Sequence, residues 1–249
     1  MLTNPTIDKL RDMKLKVMAE MLASPSPEFT RLSFEEHLGL MVEKEWLAKK
    51  DSRIKRLLWN GSLSPSTSLE DLNYANGRKL DRKTIESLST CLFIEQKLNV
   101  IISGKTGSGK TYLAKALGVN ACRNGYSSKY YRVPELLLEI AEARNSGRYS
   151  RLLNSLSGIK LMILDDIGLK PYTAEESRDI LELVESRYSK ASTLLASQID
   201  KSKWYELFPD STIADAIMDR IIHNSYILAI DSDKSMREIM AERMMNTMT

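Results

Sequence analysis

Residues 98–111 read Leu98-Asn99-Val100-Ile101-Ile102-Ser103-Gly104-Lys105-Thr106-Gly107-Ser108-Gly109-Lys110-Thr111. A short apolar run enters a loop that matches G-x-x-x-x-G-K-[ST] in full, and an amphipathic helix pattern, Tyr112–Ala121, leaves it. Strand, glycine loop and helix in that order make a phosphate cradle. Glycines at 104, 107 and 109 let the backbone wrap closely around an anion with its N–H groups pointing inward. The start of the helix adds the positive end of its dipole. Lys110 is placed to reach the β- and γ-phosphates of a nucleotide, and the Thr111 hydroxyl to coordinate Mg²⁺. Lys105, Thr106 and Ser108 complete the binding loop.

A nucleotide site of this kind needs an acidic residue at the tip of a second strand. Leu161-Met162-Ile163-Leu164-Asp165-Asp166 supplies it. Four successive apolar residues suit a strand buried on both faces. Asp165 then falls at its carboxyl end, where open α/β sheets bind ligands, and is the candidate Mg²⁺ residue. Asp166 is the candidate group for orienting or deprotonating the attacking water.

Further apolar runs stand at Lys129–Val133, Thr193–Ser197 and Tyr226–Ile230, with helical patterns between them. Such alternation predicts an α/β domain, a five-stranded parallel sheet flanked by helices. Thr173 and Glu176 form a capping box, and Pro134 suits a first helical position.

Residues 1–66 differ in texture and predict a small all-α N-terminal domain; residues 67–249 hold the nucleotide site. One helix is expected from about Ile7 to Leu22, and Ala23-Ser24-Pro25-Ser26-Pro27 stops it. A capping box of Ser33 and Glu36 opens a second. Asn60 to Ser66 reads as a linker. Lys44 to Arg56 holds six basic and two acidic residues, and Lys49, Arg53 and Arg56 share a helix face. Such a stripe can neutralise DNA phosphates, but on charge alone it reads as a solvated face. The net charge of +3 means that any nucleic-acid surface must come from such clustering. Two cysteines exclude a disulfide framework. With no secretory h-region and no apolar stretch near membrane-spanning length, the sequence predicts a soluble cytoplasmic protein.

Beyond the phosphate loop, a narrower set of residues stands out. It comprises Ser197-Gln198, Trp204, Thr212-Ile213-Ala214-Asp215-Ala216-Ile217-Met218-Asp219-Arg220 and Ser235-Met236-Arg237. Over essentially its whole length the chain resembles the AAA+ ATPases of the DnaA/DnaC lineage, and within them the IstB-like helper ATPases of insertion-sequence transposition. It departs from that pattern at Ile199-Asp200, where proline is usual, and at Asp233-Lys234, where Gly-Glu is usual. AAA+ proteins also tend to carry glutamate where Asp166 stands. The shorter side chain sets its carboxylate differently against the γ-phosphate.

The resemblance implies an ATPase with a rudimentary lid. It matches Ser197 and Gln198 to a sensor of the γ-phosphate, Arg220 to an arginine finger that reaches a neighbouring subunit's nucleotide, and Arg237 to a second sensor arginine. It further implies an ATP-dependent homo-oligomer, ring or filament, that binds double-stranded DNA, remodels it and presents it to a transposase, with Lys49, Arg53 and Arg56 on the DNA. Read alone, an arginine such as Arg220 is a surface or salt-bridge residue. A DnaC-type helicase loader that binds single-stranded DNA shares the core motifs. A small-molecule kinase shares the phosphate loop alone, and needs no basic helical domain.

Overall fold

The computed structural model describes residues 5–24, 32–72, 74 and 78–232. By contacts the chain separates into two compact units, residues 1–56 and 57–249. The division falls within one long helix.

The first unit is helical, with α1 (Pro5–Asp12), α2 (Lys16–Ala23) and most of α3 (Phe34–Asn60). The single helix expected over Ile7–Leu22 is two. Lys14 adopts φ +59°, and Leu15 N donates back to Leu10 O at 2.8 Å. That left-handed residue with its long closing bond is a helix stop, and apolar spacing alone cannot distinguish it from a continuous helix. The amides that α2 leaves unpaired at its start are taken by α3: Glu45 Oε2 accepts from Val17 N at 2.8 Å and Met18 N at 3.1 Å. Glu45 is buried by this contact, a carboxylate at a helix amino end where the dipole favours it. The Ser33/Glu36 capping box forms as expected, with Ser33 N donating to Glu36 Oε2 and Glu36 N to Ser33 Oγ. Among the described residues no helix is long and apolar enough to cross a membrane.

The second unit is built on a sheet of β1 (Arg78–Lys79), β2 (Asn99–Gly104), β3 (Ser128–Arg132), β4 (Leu161–Ile167), β5 (Ser192–Ser197) and β6 (Ser225–Ser232). Its order is β1-β6-β2-β5-β4-β3, in which five strands are parallel and the two-residue β1 pairs antiparallel with β6. The five parallel strands are those the apolar runs predict. β1 is too short to carry a pattern.

Helices α4 (Arg82–Ser89), α5 (Leu92–Glu95), α6 (Lys110–Arg123), α7 (Val133–Asn145), α8 (Tyr149–Ser157), α9 (Ala174–Arg187) and α10 (Ser211–Ile222) complete the unit, with a 3₁₀ turn at Lys201–Leu207. Val100, Ile101 and Ile102 on β2 and Leu161, Met162 and Ile163 on β4 are almost wholly buried. Each such side chain contributes about 1.5–3 kcal/mol relative to exposure. One large apolar cluster gathers Leu136 and Ile140 of α7, Leu183 of α9, Ile217 and Ile221 of α10, and Trp204 from the 3₁₀ turn. Trp204 therefore packs in the core. On the other side of the sheet α6 sits close: a Cβ at Gly118 would lie 2.5 Å from Ile163 Cδ1. The expected linker is also packed, because Gly61 O accepts from Tyr130 N of β3 at 2.9 Å and Leu63 is buried.

Candidate nucleotide site

The loop from Gly104 to Thr111 joins the carboxyl end of β2 to α6. Its glycines meet two separate demands. Gly107 and Gly109 take φ +79° and +92°, which an L side chain rarely adopts. At Gly104 a Cβ would lie 2.3 Å from Ile230 O of the adjoining strand. Lys110, the first residue of α6, folds its ammonium back over the loop and donates to Gly104 O at 2.7 Å and Lys105 O at 2.8 Å. Partial burial lowers its pKa, opposed by the nearby carboxylates of Asp165 and Asp166.

β5 separates β2 from β4, so residues at the carboxyl ends of all three converge. Thr111 Oγ1 donates to Asp165 Oδ2 at 2.7 Å, although 54 residues separate them in sequence. From the end of β5, Gln198 Oε1 accepts from Thr106 Oγ1 at 2.7 Å, on the rim of the loop. Its neighbour Ser197 is fully buried and donates to Ile167 O at 2.9 Å. Of that sequence pair, Gln198 is the one that meets the loop.

The tip of β4 is irregular. Leu164 pairs with Leu195 and Ile167 with Ser197, so Asp165 and Asp166 together stand opposite Ala196 alone. Asp166 has φ +63° at this bulge. Bulges of this kind re-aim side chains, and a non-glycine residue held left-handed at a site is strain that its surroundings must maintain. Asp165 stays in register with Arg132 of β3 and accepts from Asp166 N at 2.9 Å through Oδ1.

Two residues beside the carboxylates were not singled out from the sequence. Tyr130 donates its hydroxyl to Asp165 Oδ2 at 3.0 Å, and Arg132 Nε meets Asp166 Oδ2 at 2.8 Å. They are two apart on β3 and share a face. Burial first, and the Asp165 charge second, push the Tyr130 phenol well above its ordinary range, so it stays a donor. Lys115 Nζ sits 4.1 Å from the centre of its ring. The hydrogen bond to Asp166 holds the Arg132 guanidinium above its usual pKa. The available signal was Tyr130 and Arg132 in alternation at the end of a strand, but only the strand order shows that this strand borders β4.

This donor set fits a nucleotide with a hard cation. A glycine loop, a helix start and one ammonium suit phosphates. A hydroxyl and a carboxylate in direct contact are the oxygen ligands Mg²⁺ takes while keeping water and phosphate in its other positions.

The remaining sequence candidates lie elsewhere. Arg220 is on the last turn of α10, and its carbonyl accepts from Asn99 Nδ2, at the amino end of β2, at 3.3 Å. The phosphate loop follows the opposite end of that strand. Lys49, Arg53 and Arg56 are exposed on α3, in the first unit. Arg237 lies outside the described residues.

The chain is similar to several known proteins. The family described as IstB-like ATP binding protein matches residues 8–243. The insertion sequence ATP-binding protein y4pL of Sinorhizobium fredii is 39% identical over 239 residues, covering 95% of this chain and 98% of that one. The ATP-binding protein of insertion sequence IS1162 from Pseudomonas fluorescens is 38% identical over 205 residues, covering 81% of this chain and 89% of its own. Among solved structures, AMPPCP-bound DnaA from Aquifex aeolicus superposes with a TM-score of 0.59 at 21% identity, over 74% of this chain and 56% of that one. DnaI does so with 0.57 at 20% identity, over 67% and 92%. These structural likenesses are of fold, that of the AAA+ core.

Proposed function

Because the chain belongs to the IstB-like ATP-binding protein family, we propose that it hydrolyses ATP with Mg²⁺ and uses the nucleotide to assemble on duplex DNA, remodel it and present it to the transposase of an insertion sequence. The observation that carries the nucleotide part of this reading is the 2.7 Å contact between Thr111 and Asp165 beneath the phosphate loop, and the family supports the part played on DNA. A loop that only binds phosphate needs no carboxylate from a distant strand on its threonine; a Mg²⁺–ATP site does.

Each residue then has a role in this reading. The amides from Gly104 to Thr111, with Lys110, hold the phosphates. Thr111 and Asp165 hold Mg²⁺, which when bound neutralises charge on the β- and γ-oxygens. Tyr130 orients Asp165 through its hydroxyl. Asp166 orients or deprotonates the attacking water, and Gln198, already on the loop through Thr106, senses the γ-phosphate. Arg220 supplies a positive charge to the nucleotide of a neighbouring subunit, and Arg237 is a second arginine for the chain's own. The helical N-terminal unit meets DNA through Lys49, Arg53 and Arg56, reading phosphate and shape more than base edges. The working place is the cytoplasm.

DNA choice tests this. With ATP and Mg²⁺, binding to duplex should exceed binding to single strands of equal length, and particle imaging should show assemblies on duplex. A clear preference for single strands would replace this reading with that of a helicase loader.

A further inference from the structure

Arg220 is engaged within its own chain. Its Nη2 lies 2.8 Å from Glu185 Oε1 on α9, and its Nη1 donates to Ala216 O at 2.9 Å. The pair is only partly exposed, 29% for Arg220 and 46% for Glu185. The backbone beneath is pinned by the buried Asn99. Its Nδ2 donates to Arg220 O at 3.3 Å and Ile221 O at 3.5 Å, and its Oδ1 accepts from Thr193 N at 2.9 Å. The guanidinium thus belongs to the amino end of β2, while the phosphate loop follows the carboxyl end. At about 3.3 Å of rise per residue, that strand separates the two by roughly 16 Å, more than an arginine side chain spans.

We propose that Glu185 is the positioning residue of the arginine finger. It holds the Arg220 guanidinium at this end of the sheet until a phosphate on a neighbouring subunit's ATP takes its place. The inference rests on Arg220 acting in trans, as set out above. Carboxylate and phosphoryl oxygens compete for the same N–H groups, and both satisfy a guanidinium fork. While Glu185 occupies Nη2, the charge meant for the transferred phosphoryl group is neutralised in cis. A half-exposed ion pair is weak, so a more highly charged phosphate can displace it. Glu185 therefore sets how readily subunits complete one another's sites, and leaves ATP binding at the far end of the sheet alone.

The test is ATPase rate against protein concentration on duplex DNA, with the full chain, Glu185→Gln, Arg220→Ala and the double variant. Glu185→Gln should reach half activity at about threefold lower concentration, the scale of one exposed ion pair. Glu185→Ala should shift it the same way. Arg220→Ala should hydrolyse poorly, and adding Glu185→Gln to it should change nothing. If Arg220→Ala is inactive and Glu185→Gln leaves the midpoint unchanged or raises it, Glu185 has no such role and the finger stands. If Arg220→Ala is fully active, the finger itself is wrong and this inference goes with it.

Discussion

Asp166 carries two features that a sequence motif does not contain, a left-handed backbone and a partner. Its φ of +63° comes from the bulge that sets Asp165 and Asp166 against one residue of β5. Its carboxylate is tied to Arg132 at 2.8 Å. The bulge gives the two neighbouring aspartates separate tasks, with Asp165 drawn to Thr111 and Asp166 to Arg132. Asp166→Asn keeps size and backbone but removes the charge. ATP should still bind, while turnover falls by on the order of 100-fold if the carboxylate acts as a base. Equilibrium ATP binding and phosphate release, measured on the same preparation, separate the two effects. Unchanged turnover would move water positioning to another residue, with Gln198 the nearest candidate on the loop. Lys110, Thr111 and Asp165 were legible in the sequence because each sits in a local pattern whose chemistry is fixed by spacing. Tyr130 and Arg132 were not, since their importance comes from β3 lying beside β4, and no local pattern encodes strand order.

Among the elements, α3 shows what periodicity reads well and what it does not. The capping box at Ser33 and Glu36 marks its start correctly. Its far end runs past the basic stretch to Asn60, and the residues after it pack on β3 instead of swinging as a linker. Glycine and serine between two patterns signal a turn, not mobility; the packing of Gly61 and Leu63 is a tertiary fact. The break at Lys14 was hidden for a related reason, since lysine is a good helix former and takes the left-handed position here only because the closing bonds and Glu45 support it. Along α3 the exposed Lys49, Arg53 and Arg56 lie on one face, and Trp46 is also exposed, with Lys50 Nζ 5.1 Å from its ring centre. Changing those three basic residues to Glu should weaken DNA binding. It should also flatten the plot of log affinity against log salt by about 0.9 per lost phosphate contact. ATP affinity without DNA should hold, because the phosphate loop belongs to the other unit. Titrations at several salt concentrations check both; DNA affinity preserved at every salt would make the stripe a solvated face.

At the scale of the whole molecule, the sheet separates the two halves of the proposed reaction. The phosphate loop lies at the carboxyl end of β2, beside the ends of β5 and β4, and Arg220 lies beside the amino end of β2, pinned through Asn99. A chain so arranged has its phosphate loop at one end of the sheet and an arginine at the other, and the proposed assembly would join them head to tail, closing into a ring or continuing as a filament. On the proposed role of Arg220, each site would be complete only where two subunits meet, with the guanidinium stabilising charge on the transferred phosphoryl group. Activity per subunit should rise with concentration, or when DNA gathers the subunits. Lys110→Ala should lose tight ATP binding yet keep its arginine, and Arg220→Ala should bind ATP yet hydrolyse it poorly. Mixed on duplex DNA, the two should recover part of the parental rate, since some interfaces pair an intact phosphate loop with an intact arginine. The recovered rate should peak at an intermediate ratio of the variants and vanish in either alone, a profile that a site complete within one chain does not produce. A concentration-independent rate from monomers bound singly to DNA would defeat the head-to-tail reading.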